Sequence, residues 1–202
     1  MRCERCGNED KEYFYRGSSG WYCRKCVAFR RRYIAQEWRI PRGLGSDVDT
    51  TLRMDFELTE AQKKVSGEIT ENLKRGTSVF LSAVTGAGKT EITFEGIRYF
   101  LGNGKKVGFA VPRRQVVLQL ASRFAKAFPN LTVTKVCEGY TSVTEGDLIV
   151  CTTHQLSRYH EYFDYLVVDA ADAFPFLHNP MLEKMTWDSC KGVKLIMSAT
   201  LD

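Results

Sequence analysis

Ala83-Val84-Thr85-Gly86-Ala87-Gly88-Lys89-Thr90 decides how the rest of this chain is read. The apolar run Val79-Phe80-Leu81 precedes it, and an amphipathic segment, Glu91 to Leu101, follows it. A strand, a glycine-rich turn and a helix opening with Lys-Thr form the setting of a phosphate-binding loop. Gly86 and Gly88 let backbone N–H groups turn inward and approach phosphate oxygens. The helix N-terminus adds partial positive charge. Thr85, Gly86, Ala87 and Gly88 would wrap the phosphates of a nucleotide, Lys89 would reach the β- and γ-phosphates, and the Thr90 hydroxyl would ligate Mg²⁺. The common pattern has Gly where Ala83 stands. The alternative is a strand-to-helix turn without a ligand, and the strand, the helix and Lys-Thr together weigh against it.

The chain has 202 residues, enough for one α/β core and a small accessory module. Its hydrophobic content of 44% is ordinary for a globular protein, and no run of eighteen apolar residues suggests a membrane span. The N-terminus lacks the apolar core of a signal peptide, so a cytoplasmic location is expected. The net charge is +5, and it is uneven: residues 1–45 carry eleven Lys/Arg against five Asp/Glu, while the remainder is close to neutral. A basic front suggests a polyanionic partner, most simply nucleic acid, against the plainer reading of a solvated charged face.

That front also holds Cys3-x2-Cys6 and, sixteen residues on, Cys23-x2-Cys26, the spacing of a four-cysteine zinc site. Each knuckle supplies two corners of a tetrahedron. In a reducing compartment such thiols bind metal rather than pair as disulfides. Tyr13-Phe14-Tyr15 and Gly20-Trp21-Tyr22 read as two short strands joined by a turn at Gly17-Ser18-Ser19-Gly20, a zinc-ribbon-like layout. With few apolar residues here, metal would supply folding energy on the order of 10 kcal/mol. A closed four-thiolate site is structural. Cys137, Cys151 and Cys190 lie far apart and read as buried and inert.

Val27 to Trp38 reads as a helix with Val27, Ile34 and Trp38 on one side and Arg30-Arg31-Arg32 on much of the rest. Two uses are open for its aromatics Phe29, Tyr33 and Trp38: stacking on bases beside phosphate-binding arginines, or packing the helix onto the ribbon. Pro41-Arg42-Gly43-Leu44-Gly45-Ser46 reads as a linker. The expected division is therefore a zinc-binding basic module at 1–45 and a nucleotide-binding domain at 46–202.

In that domain a helix is expected after Phe56-Glu57-Leu58-Thr59-Glu60-Ala61-Gln62, with Val65, Ile69 and Leu73 on one face. Thr59-x-x-Gln62 fits a capping box. Phe56 and Gln62 also fit adenine recognition, because a glutamine amide donates and accepts along one edge of the base. Apolar runs at Val79–Val84, Lys106–Val111, Leu131–Val136, Leu148–Cys151, Tyr165–Asp169 and Val193–Ser198 are short and barely alternate, as expected of strands buried on both faces. Helical stretches separate them, including Arg113–Phe128 with Val116, Leu120 and Phe124 on one face. The fold class is α/β: a RecA-like P-loop NTPase domain with a parallel sheet flanked by helices.

The strand ends carry the remaining candidates. Pro112, Arg113 and Arg114 open a helix whose N-terminus could hold a nucleic-acid phosphate, and Thr153, His154 and Gln155 repeat that geometry. Ordinary helix capping is the alternative for both. Asp169 ends a Walker B-like strand, Leu166-Val167-Val168-Asp169, and would hold Mg²⁺. Ser198 and Thr200 close the chain with hydroxyls able to couple to Asp172.

Taken in order, these motifs resemble the first RecA-like lobe of a superfamily-2 helicase, in which the Ala83 replacement is often tolerated. The loop Thr85-Gly86-Ala87-Gly88-Lys89-Thr90-Glu91 is similar to that of the replication-restart helicase PriA. Val168-Asp169 followed by Asp172-Ala173-Phe174-Pro175-Phe176, behind a four-cysteine site, looks like the ComFA family of DNA-uptake ATPases. That resemblance implies ATP and Mg²⁺ as ligands, structural Zn²⁺, and single-stranded DNA as substrate in natural competence. It also implies ComFC and the channel protein ComEC as partners, at the inner face of the membrane.

Two departures stand out. The family reads Asp-Glu-Val-Asp, whereas Ala170 and Ala171 occupy the Glu and Val positions here. That Glu activates water, and losing such a base costs about 10²–10⁴-fold in rate. The change reads as a hydrolysis-deficient motif, introduced by engineering or by drift. The second RecA-like lobe is also absent, so this stretch is expected to turn over ATP poorly alone. The competing readings are a non-catalytic nucleotide- and zinc-binding docking module, and a PriA-like fork helicase or an RNA helicase.

Overall fold

The computed structural model describes residues 1–38, 48–83, 88–170 and 179–199 of the chain. At the front, β1 (Phe14–Gly17) pairs antiparallel with β2 (Gly20–Cys23), with Phe14 opposite Cys23 and Gly17 opposite Gly20. The reversal occurs at Ser18-Ser19, and Gly20 takes φ +121°, a conformation that side chains avoid. This is the hairpin expected from the sequence. The helix expected from Val27 to Trp38 does not form. A 3-10 turn covers only Val27–Phe29, and Arg30 then takes φ +71°, which no right-handed helix can continue. Tyr33 instead bridges to Tyr22, and the Ile34 N–H donates to the Trp21 carbonyl at 2.7 Å, so this segment lies along the hairpin as a third extended piece.

In the lobe, all six apolar runs become strands of one sheet. They are β3 (Val79–Ser82), β4 (Val107–Val111), β5 (Val133–Val136), β6 (Leu148–Thr152), β7 (Phe163–Asp169) and β8 (Cys190–Ser198), in spatial order β3-β8-β7-β4-β6-β5. Every neighbouring pair is parallel. All the carboxyl ends therefore emerge along one rim, and β8 stands between the loop strand β3 and the carboxylate strand β7.

The two sheet faces are covered by different elements. On one face α1 (Glu60–Lys74), α2 (Phe94–Gly102) and α3 (Arg114–Ala127) bury Ile69, Leu73, Ile97, Leu101 and Phe124 against Phe109, Tyr165 and Val167. The buried stripe of α3 runs through Val117, Leu120, Ala121, Phe124 and Ala127, with Val116 only half-buried at its margin. Residues 48–58 cross this layer: the Arg53 N–H donates to the Ala127 carbonyl at 2.7 Å, and Leu52 and Met54 pack on the core. On the other face a 3-10 helix over Thr153–Arg158 and α4 (Pro180–Ser189) cover Ile149, Phe163, Leu166 and Val168.

The front hairpin sits on this second layer. Its cluster of Cys3, Phe14, Cys23 and Cys26 includes Met185 of α4, with Met181, Phe29 and Ile34 packed around it. A module too small to form its own core has completed one with the lobe. Trp38 stacks on His160 with ring centroids 4.8 Å apart, and the Arg32 guanidinium lies 3.9 Å over the Trp38 ring. The expected linker, Pro41 to Ser46, falls wholly within 39–47, outside the described residues. Among the described residues, no helix is long and apolar enough to cross a membrane.

Candidate functional site

The candidate phosphate-binding loop follows β3 at its carboxyl end. Residues 84–87, which include Thr85, Gly86 and Ala87, lie outside the described ones. Both ends of the loop are described. Before it, the Ala83 N–H donates to the Ser198 carbonyl at 3.0 Å, which ties the loop's start to the end of β8. After it, Gly88 takes φ +72°, a conformation that favours glycine, with Gln62 Nε2 close beside it. Lys89 and Thr90 follow, and Glu91–Thr93 form a 3-10 turn before α2 begins at Phe94. The helix expected from Glu91 thus starts with a tighter turn, in which the Thr93 hydroxyl bonds the Thr90 carbonyl at 2.6 Å.

Lys89 Nζ lies 3.9 Å from Asp169 Oδ1, both side chains being mostly buried. The sequence places these residues eighty positions apart, and the parallel topology brings them together across β8. Ala170 takes φ +56°, and its N–H donates to the same Asp169 oxygen at 2.9 Å. The methyl group of Ala170 offers no acceptor beside this pair. Asp172 and Thr200 fall outside the described residues, whereas Ser198 is buried at the end of β8.

Gln62 satisfies the capping-box reading in full. Its N–H donates to Thr59 Oγ1 at 3.3 Å, and its Oε1 accepts the Thr59 N–H at 3.0 Å. The cap uses the amide oxygen, and Nε2 lies beside Gly88 at the loop's end. Phe56 is exposed and lines a cavity of about 430 Å³ with Arg53, Glu91 and Arg123. Glu91 is a site residue that the sequence did not single out. It is buried, ion-paired to Arg123, and packed between the loop and α3. Its position directly after Lys-Thr was the only available signal.

In the front module, Cys3, Cys6, Cys23 and Cys26 bring their sulfurs within 4.8 Å of one another. Cys3 Sγ to Cys26 Sγ and Cys6 Sγ to Cys23 Sγ are both 3.7 Å. Four thiolates around one zinc at about 2.3 Å would stand about 3.8 Å apart, so this donor set fits Zn²⁺, and the separations are far too long for disulfides. Bonds from Cys26 and Cys6 pull the Cys3 thiol far below its ordinary value, while the bond to Cys3, with burial, holds Cys26 up at about 11. Arg5 lies within the first knuckle and is buried. Its Nη2 donates to the carbonyls of Cys26 and Arg30, each at 2.6 Å, and its Nη1 donates to the Phe29 carbonyl at 3.1 Å. Cys137, Cys151 and Cys190 are buried as expected, and burial pushes their thiols up.

The nucleic-acid candidates lie on the same rim. Arg113 precedes α3 in an extended conformation without a side-chain cap, and Arg114 Nε donates to the Glu138 carbonyl at 2.9 Å. Pro112 is half-buried beside them. Thr153 is buried as the first residue of its 3-10 helix, whose N-cap, Thr152, makes no side-chain cap bond. His154 is stacked on Phe29 of the front module, with centroids 5.8 Å apart, and that cover lowers its pKa by desolvation. Gln155 accepts from Arg158 Nε. Of the two uses open for the front aromatics, packing is the one seen for Tyr33 and Trp38, on Tyr22 and His160.

The family described as type III restriction enzyme, res subunit, matches residues 55–201. The chain belongs to that family. It is also 34% identical to competence protein ComFA of Bacillus subtilis over 192 residues, covering 90% of this chain and 41% of that protein. To competence protein ComFA of Streptococcus pneumoniae it is 32% identical over 207 residues, covering 98% of this chain and 46% of the other. The resemblance to ComFA read from the sequence is thereby borne out. The chain spans less than half the length of these relatives. Among solved structures, the SWI2/SNF2 ATPase core of Sulfolobus solfataricus, in complex with dsDNA, superposes with a TM-score of 0.64 at 18% identity, covering 77% of this chain and 34% of that one. That likeness supports the RecA-like helicase fold. The family match starts at residue 55, so the four-cysteine front of the chain lies outside it.

Proposed function

We propose that this chain is the ATP-binding lobe of an ATP-dependent single-stranded DNA translocase or helicase acting in DNA uptake during natural competence. We further propose that its water-activating step is disabled at Ala170. The observation that carries the reading is the approach of Lys89 to Asp169 across β8, at the rim where the phosphate-binding loop emerges. An ammonium and a carboxylate meeting at a loop that ends in left-handed Gly88 are the donor set a magnesium nucleotide needs. The similarity to two ComFA proteins supplies the biological setting.

Within this reading Lys89 neutralises phosphate charge, while Thr90 and Asp169 hold Mg²⁺. Bound Mg²⁺ supplies charge neutralisation on the phosphates. Gln62 presents Nε2 to adenine while its oxygen holds the α1 cap, and Phe56 covers the base. Ala170 cannot take a proton from water. Arg113, Arg114, Thr153, His154 and Gln155 form the DNA side of the rim. Ser198 and Asp172 relay between the nucleotide and DNA sides, with Thr200. The four cysteines hold a structural Zn²⁺, and the division at residue 45 separates this module from the lobe. A second lobe completes the ATP cleft, and ComFC and ComEC anchor the motor at the inner face of the membrane.

The test compares ATP turnover by the full-length protein with its Ala170→Glu variant, with and without single-stranded DNA or RNA. Turnover that appears only in the variant and rises with DNA supports a motor disabled at one residue. Stimulation by RNA alone moves the reading to an RNA helicase. Silence in both proteins, with nucleotide still bound, favours the docking module, the reading that Ala170 itself supports.

A further inference from the structure

Between the front module and the lobe lies a groove of about 390 Å³, with Phe29 and Arg30 on one wall and Thr141, His154, Gln155 and Arg158 on the other. Its charges are not those of an interface closed on itself. Arg30 reaches across to the Thr141 hydroxyl at 3.5 Å, and Arg158 stands close enough for the two guanidiniums to repel; burial, and after it this repulsion, lowers the Arg158 pKa. Among the described residues neither arginine forms an ion pair. Glu138 also lines the groove, but its contact with an arginine is through its backbone carbonyl, to Arg114. Two like charges converging on a groove, neither of them in an ion pair among the described residues, favour an anion there.

The aim of Arg30 is imposed. Its φ of +71° and ψ of +147° belong to a region that is unfavourable for a non-glycine residue and is kept only where its surroundings enforce it. Arg5 provides the enforcement, since it grips the Arg30 carbonyl from within the zinc module. The Phe29 and His154 rings, inclined at 25°, add a flat aromatic edge beside the charges. Guanidiniums next to aromatic faces are the surface that holds an unpaired strand, because a duplex keeps its base faces hidden.

We propose that this groove binds single-stranded DNA, with Arg30 and Arg158 converging on its phosphates and the Phe29–His154 pair meeting a base. The zinc module is then one wall of the DNA path. This rests on the motor reading above and adds to it residues of the module and of the lobe, Phe29, Arg30 and Arg158, that the helicase motifs do not contain.

The experiment measures anisotropy of a labelled single-stranded oligonucleotide with this chain over a range of salt, beside binding of a fluorescent ATP analogue and zinc content. Arg30→Gln and Arg158→Gln should each weaken DNA binding about tenfold. Each should also flatten the slope of log affinity against log salt by about 0.7. Nucleotide binding and zinc content should not change. If Arg30→Gln loses zinc, Arg158→Gln, which lies on the lobe, decides. Unchanged DNA affinity and slope in Arg158→Gln overturns the proposal, as does tighter binding of a duplex, or no DNA binding by a chain that binds nucleotide. Failure to bind nucleotide with DNA binding intact would instead count against the motor reading and leave the groove standing.

Discussion

Lys89 Nζ stands 3.9 Å from Asp169 Oδ1, and the same oxygen accepts the Ala170 N–H. One carboxylate oxygen thus faces both the loop's ammonium and the backbone of the residue that follows it. With the side chains 13% and 22% exposed, solvent screens this pair only in part. A nucleotide phosphate would compete for Lys89 and leave Asp169 to a cation. Lys89→Ala is therefore expected to lower affinity for a fluorescent ATP analogue at least about tenfold, the worth of a charge-assisted bond. Circular dichroism should show the fold retained. Equal nucleotide affinity in the variant would mean that the loop does not hold phosphate through this lysine.

Gln62 offers a way to separate two roles within one side chain. Its oxygen closes the capping box with Thr59, and its Nε2 faces Gly88. Glutamate serves the same cap equally well, so Gln62→Glu should leave the melting temperature nearly unchanged. It removes the amide donor, however, and puts negative charge beside the loop. ATP affinity should fall about tenfold while GTP affinity falls much less, as measured by competition with the fluorescent analogue. An equal loss for both nucleotides would assign the effect to charge and reduce Gln62 to a cap.

The sheet was legible because each strand is a short apolar run buried on both faces, and burial of that kind leaves its mark in composition. The loop, Asp169 and the four cysteines were legible for another reason: their chemistry depends on residue type at fixed spacing. The front segment was not. Val27 to Trp38 has helical spacing of apolar residues, but Arg30 turns left-handed because Arg5 holds its carbonyl, and no local pattern encodes a partner twenty-five positions away. The groove between Arg30 and Arg158 was hidden likewise. It depends on the packing of Met181 and Met185 of α4 into the module's core and on the Phe29–His154 and Trp38–His160 stacks, which set the module against the lobe. Glu91 was missed because a carboxylate after Lys-Thr reads as a helix-start residue until its burial and its partner Arg123 are seen.

The seven cysteines divide into two populations that a thiol reagent can count. Cys137, Cys151 and Cys190 are buried and held protonated by desolvation, so they should react only on unfolding. Cys3, Cys6, Cys23 and Cys26 should be protected by zinc and become reactive when a chelator removes it. The zinc-loaded chain is expected to show no fast thiols, four after chelation, and seven after denaturation. Cys23→Ser with Cys26→Ser should abolish zinc content. It should also destabilise the module while the lobe still melts cooperatively, because the lobe's own clusters do not include the cysteines of the ribbon. Unchanged metal content in that double variant would sink the zinc assignment.

Arg5 is the link between the metal site and the groove, and its geometry specifies how it should fail. One guanidinium spans the carbonyls of Cys26, Phe29 and Arg30, an arrangement that needs a planar fork and that a lysine ammonium cannot reproduce. Arg5→Lys keeps the charge and loses about two of these bonds, which should cost roughly 2 kcal/mol of module stability. Zinc content should remain at one per chain, because no cysteine is altered. Freed from its brace, Arg30 would relax from its left-handed conformation and no longer point across to Thr141. Single-stranded DNA affinity should then fall toward that of Arg30→Gln, and combining the two substitutions should add little further, the signature of residues acting through one another. Additive losses in the double variant, measured by the same anisotropy titration, would show that Arg5 stabilises the module without positioning Arg30.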